Sequence, residues 1–342
     1  MIEIKSHFAL KEFNTFGINA FAKAYTSITT LQQLSEALSY YHDKDVFLLG
    51  GGSNMLLLND IERPVIHVNL KGIQVEQNKS EVFITAMAGE NWHDFVMYCI
   101  KNNWAGIENM ALIPGNIGTA PIQNIGAYGV ELKDTFISCT VMEKATGKEK
   151  TLTLEDCKFG YRDSIFKNEA KGKYVITSVT FKLTDLSKTD NYQLKTSYGA
   201  ICEELKNLNL EPSIATVAQA VINIRSSKLP DPKKLGNSGS FFKNPIIEKS
   251  YYEDLIKMHP DMPHYSVNDS QVKVPAGWLI DQCGFKGTRR GDAGVHDKQA
   301  LVLVNHGNAR GAEIIALARE IQEMVKSRYG ISIETEVNLI QN

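Results

Sequence analysis

Pro114-Gly115-Asn116-Ile117-Gly118-Thr119-Ala120-Pro121 runs directly into Ile122-Gln123-Asn124-Ile125-Gly126-Ala127-Tyr128-Gly129. Four glycines and two prolines share this stretch with neutral hydrogen-bond donors and almost no charge. A solvated loop usually carries charge, and a long loop in a compact domain is often functional. This one reads as a segment covered by something large. A second uncharged segment, Leu48-Leu49-Gly50-Gly51-Gly52-Ser53-Asn54, follows a β-like run at Val46–Leu49. Glycine permits positive φ and close backbone approach, and successive N–H groups in such a turn form an anion site. Met55 stands where a G-x-G-x-x-G motif needs its last glycine, and no Gly-Lys-Ser/Thr follows, so neither common nucleotide loop is present. Each segment alone is equally a structural turn or loop. Together they suggest a cradle for a cofactor with a diphosphate and an extended apolar ring.

Around these loops, strands and helices mix without strict βαβ alternation, which predicts an α+β fold. Leu31, Leu34, Leu38 and Tyr41 fall at helical spacing. Val65–Leu70, Ile73–Gln77, Glu81–Ala88, Phe136–Glu143, Lys150–Leu154 and Tyr174–Leu183 read as strands. Asn91 is placed to cap a helix carrying Trp92, Phe95, Val96 and Cys99 on one face. Residues 213–228 read as a helix ended by Leu229-Pro230-Asp231-Pro232, since proline disfavours helix at itself and just before it. Short helices are expected near 249–258 and 276–283, a β-run at 300–304 and an amphipathic helix over 309–329. The chain end, Ile331–Ile340, alternates as a strand with Ile331, Ile333, Val337 and Leu339 on one side.

Composition narrows the functional classes. The 342 residues are 43% hydrophobic and 22% charged, with net charge −2, as in a folded globular protein of roughly two domains. Near-zero net charge argues against a nucleic-acid binder. Cys99, Cys139, Cys157, Cys202 and Cys283 form no C-x-x-C pair, so free thiols are expected and no zinc site. The histidines show no metal-ligand spacing, and no metal is expected. No export signal or apolar run of about 20 residues is visible, which points to the cytoplasm and away from a membrane. No surface pattern suggests a protein partner, so a monomer is the default.

Three further segments carry reactive side chains. Gly160-Tyr161-Arg162-Asp163-Ser164 offers an arginine suited to a carboxylate, or an ordinary surface ion pair. Gly236-Asn237-Ser238-Gly239-Ser240-Phe241-Phe242-Lys243-Asn244-Pro245 is a Gly/Ser turn that lacks the G-x-S-x-G of serine hydrolases. Glu334-Thr335-Glu336-Val337 places a glutamate on the polar side of a late strand.

In this order, and from Asn14-Thr15-Phe16-Gly17 onward, these segments resemble the UDP-N-acetylenolpyruvoylglucosamine reductase (MurB) family, in its longer form with a tyrosine loop at Ser197-Tyr198-Gly199. The resemblance implies an FAD-binding module of the vanillyl-alcohol-oxidase (PCMH) type in two subdomains, 1–70 and 71–228. A C-terminal α+β substrate domain would occupy 229–342. Non-covalent FAD would be held by Gly50, Gly51, Gly52, Ser53 and Asn54, and by Gly115, Gly118, Thr119, Ala120 and Pro121. Ile122, Gly126, Tyr128 and Ile176 would lie along it. NADPH would be the reductant, and UDP-N-acetylglucosamine enolpyruvate the small-molecule substrate. Arg162 and Glu336 would stabilise an enolate-like intermediate, Glu336 in its neutral form, and Ser240 would protonate it. Tyr198, Arg225, Lys228, Asn244 and Gln299 would bind the UDP-sugar. Other FAD oxidoreductases of the same scaffold, or a nucleotide-sugar-binding module without turnover, are the alternatives. Two positions depart from the family pattern: Ser238 replaces a small apolar residue, and Thr335 a frequent proline, which predicts a slight shift of Glu336.

Overall fold

A computed structural model describes residues 2–342 and divides the chain into two compact units. The first comprises the chain up to Phe8, Ala22–Gly51 and Glu62–Ser227. The second comprises Ala9–Phe21, Gly52–Ile61 and Lys228–Asn342. The sequence boundaries at 70 and 228 divide the chain differently. The expected subdomains fall largely within one unit, and two N-terminal segments belong by contact to the unit formed mainly by the chain end. Residues 9–21 and 52–61 meet each other, and both also meet partners more than 200 positions away, as in Asn237 N to Thr15 O and Asn338–Ile340 beside Met55–Leu57, which no local composition shift announces.

In the first unit, Lys5–Ala9, Phe21–Ile28, Val65–Val68 and Phe47–Leu49 form a sheet in that order. Val65–Val68 runs parallel to both Phe21–Ile28 and Phe47–Leu49. A second, antiparallel sheet is ordered Glu149–Thr153, Phe136–Glu143, Tyr174–Asp185, Glu81–Met87, Ile73–Asn78. Glu81–Met87 shows why it is a strand: Val82, Ile84 and Ala86 alternate into the core, each 0% exposed. Helix Trp92–Lys101 packs beside it. The Asn91 side chain accepts from Asp94 N at 3.0 Å, as expected of the cap. Trp92 and Phe95 meet Phe181 with ring centroids 5.9 and 4.9 Å apart. Each such ring gains roughly 1.5–3 kcal/mol by leaving water. Pro114–Gly129 is not a continuous loop: Ile117–Gln123 is a 3-10 helix. A short i→i+3 helix has no 3.6-residue apolar stripe to reveal it.

In the second unit, Gly236–Ser240, Val302–Asn305, Ala293–Val295 and Arg289–Arg290 form an antiparallel sheet. Helix Gly311–Tyr329 ends at Gly330, whose φ of 67° closes the last turn. The chain end is less regular than its alternation suggests. Thr335 makes an isolated bridge to Phe242, and only Asn338–Ile340 continues as strand, parallel to Met55–Leu57. Ile331, Ile333 and Val337 are buried as expected, whereas Leu339 is 37% exposed. The bridge and the later strand pair with different partners, and the two-residue period does not carry across the change.

Candidate active site

The first unit brings the two glycine segments together. A Cβ on Gly50 would lie 2.5 Å from Thr119 Cγ2, and one on Gly51 would lie 2.8 Å from Asn116 Oδ1 and 3.0 Å from Gly115 Cα. Only glycine permits that approach. The 3-10 helix is fixed behind: Ile117 N donates to Glu90 O and Gly118 N to Ala88 O, both at 2.9 Å. A Cβ on Gly118 would meet Ala88 Cβ at 2.5 Å. Thr119 is half-buried, Ala120 and Pro121 are buried, and Ile122, Tyr128 and buried Ile176 belong to one apolar cluster. From Gly115 to Ala127 the segment carries no charged side chain, yet each residue is buried or half-buried. Neutral donors beside close-packed backbone and apolar side chains fit FAD, whose diphosphate takes N–H groups and whose ring takes apolar contacts.

Arg162 sits at the tip of a tight turn closed by Gly160 N to Asp163 O (3.0 Å) and Asp163 N to Gly160 O (3.3 Å). Its φ is 54°, in the left-handed region that costs an L-residue roughly 1–2 kcal/mol. Several bonds tie this turn to the 3-10 segment. Arg162 Nη2 donates to Gly126 O at 3.0 Å, Ser164 Oγ to Ile122 O at 2.6 Å, and Asn124 Nδ2 to Gly160 O at 3.1 Å. Asn124 is wholly buried at φ 43°, a backbone that asparagine tolerates better than most residues. Arg225 lies within electrostatic reach of Arg162 and Tyr128; burial first, opposed by the Tyr128 phenol and reinforced by Arg162, lowers its pKa from the ordinary arginine value. Its buried Nε has no hydrogen-bond partner among the described residues. Burial raises the Tyr128 phenol, with Arg225 opposing.

Tyr198 is 52% exposed and its Cβ would lie 3.1 Å from a Cβ on Gly129. Its loop is anchored by residues the sequence reading passed over. Asn109 Nδ2 donates to both Tyr128 O (3.0 Å) and Lys195 O (2.7 Å), and the Tyr192 hydroxyl donates to Glu108 Oε1 at 2.6 Å. His93 was also missed: its Nδ1 accepts from Leu112 N at 3.0 Å, just before the glycine segment. No local signal marks these residues: Leu112 and Asn124 are at positive φ, which is invisible in a side chain that is not glycine.

Burial first holds His67, His93, His296 and His306 below their ordinary 6.5. Each binds its proton more weakly folded than unfolded. Between the lowered values and 6.5 the unfolded chain therefore holds more protons, and stability rises with pH. The melting temperature is expected to fall as pH drops through about 6.5, and His93→Gln to shrink that dependence; an unchanged slope would show that His93 does not contribute.

The second unit holds the remainder of the first glycine segment. Gly52 has φ 61°, and a Cβ there would lie 2.0 Å from Phe13 O. Gly52→Ala is expected to cost about 2 kcal/mol or more and to weaken flavin retention, read by melting temperature and by the yellow colour left after gel filtration. Ser53 and Asn54 follow, half-buried, with Thr15 Oγ1 3.4 Å from Ser53 O. Asn54 Nδ2 donates to Glu336 O at 3.4 Å, and Asn338 Nδ2 to Asn54 O at 2.8 Å.

Ser240 and Glu336 come from segments that meet in this unit. Phe241 N donates to Leu301 O at 2.7 Å and Glu336 N to Phe241 O at 2.8 Å. Both candidate side chains are half-buried. A register shift between Asn237 and Ser240, with Gly239 at φ 68°, breaks the strand's alternation and re-aims Ser240. Ser238, which stands where the family more often has a small apolar residue, is buried and hydrogen-bonded to Met55 O at 3.2 Å. Asn244 Oδ1 accepts from Ala276 N at 2.9 Å, and Gln299 Oε1 lies 3.0 Å from where a Cβ on Gly277 would be, so the two meet at one helix start. Lys228 is exposed at the end of helix Ile214–Lys228. Arg162, Arg225 and Tyr198 thus belong to the first unit, and Ser240, Glu336, Lys228, Asn244 and Gln299 to the second. Among the described residues no group of histidines, cysteines and carboxylates is arranged to hold a metal ion, and no helix is long and apolar enough to cross a membrane.

Known proteins match this chain along its length. Residues 231–340 match the family model described as UDP-N-acetylenolpyruvoylglucosamine reductase, C-terminal domain, and residues 22–153 match an FAD binding domain. The chain is 54% identical over 341 residues to the UDP-N-acetylenolpyruvoylglucosamine reductase of Flavobacterium johnsoniae, covering 99% of this chain and 100% of that one. It is 44% identical to that of Chromobacterium violaceum, with 98% of each covered. Among solved structures, that of the Thermus caldophilus enzyme of the same name aligns with TM-score 0.68 at 23% identity, covering 100% of this chain and 99% of that one. A 6-hydroxy-D-nicotine oxidase from Arthrobacter nicotinovorans aligns with TM-score 0.52 at 13% identity, covering 97% and 87%. At such identities the two structures speak for the fold alone. With the FAD-domain match they bear out the expected α+β architecture with an FAD-binding module.

Proposed function

The chain belongs to the UDP-N-acetylenolpyruvoylglucosamine reductase family of FAD-dependent oxidoreductases, and we propose that it reduces UDP-N-acetylglucosamine enolpyruvate to UDP-N-acetylmuramate, with NADPH as reductant, for peptidoglycan precursor synthesis. The observation that carries this reading is the 54% identity to the UDP-N-acetylenolpyruvoylglucosamine reductase of Flavobacterium johnsoniae along nearly the whole of both chains. Arg225 adds to it: its buried Nε is satisfied by no described residue, and such a cationic donor favours a ligand that brings negative charge. A substrate with both a carboxylate and a diphosphate supplies that charge.

Gly50–Asn54 and Gly115–Pro121 would hold FAD, with Ile122, Gly126, Tyr128 and Ile176 beside its ring, and the bound group would supply the hydride chemistry that the enolpyruvyl double bond needs. The double-bond electron pair then moves toward the carboxylate, giving an enolate-like species. Arg162 stabilises that charge as it develops, aided by Glu336. Ser240 gives its proton to the carbon next to the carboxylate and regains one from solvent. Tyr198, Arg225, Lys228, Asn244 and Gln299 hold the UDP-sugar. The protein works as a cytoplasmic monomer.

The deciding experiment is an anaerobic visible spectrum during titration with NADPH and then with UDP-N-acetylglucosamine enolpyruvate. Bleaching followed by recovery of the yellow colour is expected. Bleaching without recovery would leave another non-covalent FAD oxidoreductase. A colourless protein after FAD reconstitution, binding the nucleotide sugar tightly, would leave a binding module without turnover.

A further inference from the structure

Ser238 and Thr15 form a hydroxyl pair inside the second unit, with Oγ and Oγ1 3.3 Å apart. Ser238 is buried, 7% exposed, and donates its proton to Met55 O at 3.2 Å. Its oxygen then accepts from Thr15, whose proton also faces Ser53 O at 3.4 Å and Gly52 O at 3.5 Å. The backbone repeats the same joins: Thr15 N donates to Gly52 O at 3.1 Å and Asn237 N to Thr15 O at 2.9 Å. Asn14-Thr15-Phe16-Gly17 is therefore wedged between the Gly52–Met55 segment and the strand that carries Ser240. A Cβ on Gly236 would lie 2.2 Å from Phe16 O, and Asn305 Nδ2 holds that same carbonyl at 2.8 Å. Glu336 is registered to the same segment separately, through Asn54.

We infer that Thr15 and Ser238 are positioning residues: their hydroxyl pair sets the register of the Ser240 strand against the Gly52–Met55 segment, and so the aim of the proton donor. The inference rests on the reduction proposed above. Asn237 and Ser240 flank a register shift, so strand pairing alone leaves the direction of Ser240 under-determined. Within the shift, Ser238 is the side chain that ties the strand to the Gly52–Met55 segment. A donor misplaced by about 1 Å loses up to roughly a hundredfold in rate.

The test compares the two half-reactions by stopped flow in FAD-loaded protein. Ser238→Ala and Thr15→Val are each expected to slow flavin reoxidation by the enolpyruvate substrate roughly tenfold to a hundredfold, with flavin reduction by NADPH within about twofold of the parent. Thr15→Ser, which restores the hydroxyl, is expected to recover the rate. The double variant Thr15→Val/Ser238→Ala is expected to be no slower than either single one, because both remove one interaction. Equal slowing of both half-reactions, additive losses, or parental rates in either single variant would overturn the positioning role. If the unmutated protein reduces its flavin but is never reoxidised by this substrate, the proposed function falls, and the inference falls with it.

Discussion

Ser240→Ala is expected to leave flavin reduction by NADPH unchanged and to slow reduction of the enolpyruvate by about 10²–10⁴-fold, the usual contribution of a positioned proton donor. The asymmetry follows from where the hydroxyl stands. Ser240 closes the strand Gly236–Ser240 and is followed by buried Phe241 and Phe242, so removing one oxygen opens no large cavity. The substitution should therefore fold and remain yellow. Its only expected deficit is the missing proton at the carbon next to the substrate carboxylate. Stopped-flow traces of both half-reactions decide the matter: equal loss in the two would remove Ser240 from the proton-donor role. Ser240→Cys is a useful companion, since a thiol is a better acid than a hydroxyl and restores part of the rate if acidity is what matters.

Arg162→Gln is expected to lower kcat for enolpyruvate reduction by about 10²–10³-fold, the scale found when one preorganised donor to a developing oxyanion is lost. Arg162 is held in place at a cost. Its backbone lies at φ 54°, and the turn around it is bound through Gly126 O, Ile122 O and Gly160 O. Arg162→Gly relieves the backbone strain and is expected to raise the melting temperature, or leave it unchanged, while losing the same activity. That pairing separates a functional strain from a structural one. Arg162→Lys keeps the charge but not the planar fork, and recovers only part of the rate. A variant series in which activity followed melting temperature would instead make Arg162 a structural residue.

The local elements were legible because their signals sit within a few residues. Val82, Ile84 and Ala86 alternate, and Asn91 caps the helix it precedes. Val217, Val221 and Ile224 line one buried helical side. The glycine segments stood out in the sequence because charge is missing from them, a property of composition. Less legible were residues whose role depends on a distant partner. His93 looks like an ordinary helical histidine until Leu112 N reaches it, and Asn109 is unremarkable until Tyr128 and Lys195 share its amide. Leu339 was misplaced because alternation assumes one continuous partner strand, whereas Thr335 pairs with Phe242 and Asn338–Ile340 with Met55–Leu57.

Sequence alone determined the type of the regular, strongly periodic elements, the two uncharged glycine segments, and the order of motifs that carried the family resemblance. These rest on backbone preference, side-chain periodicity and residue chemistry, all expressed over short spans of chain. Tertiary structure alone decided that Gly52–Met55 belongs with the chain end, that Ser238 is buried against Met55 O, and that half-buried Arg225 has its Nε buried within electrostatic reach of Arg162. Those facts depend on pairings between residues far apart in the chain. Such pairings form when burial and hydrogen bonding together exceed the entropy of closing a long loop, a balance that no short stretch of sequence displays.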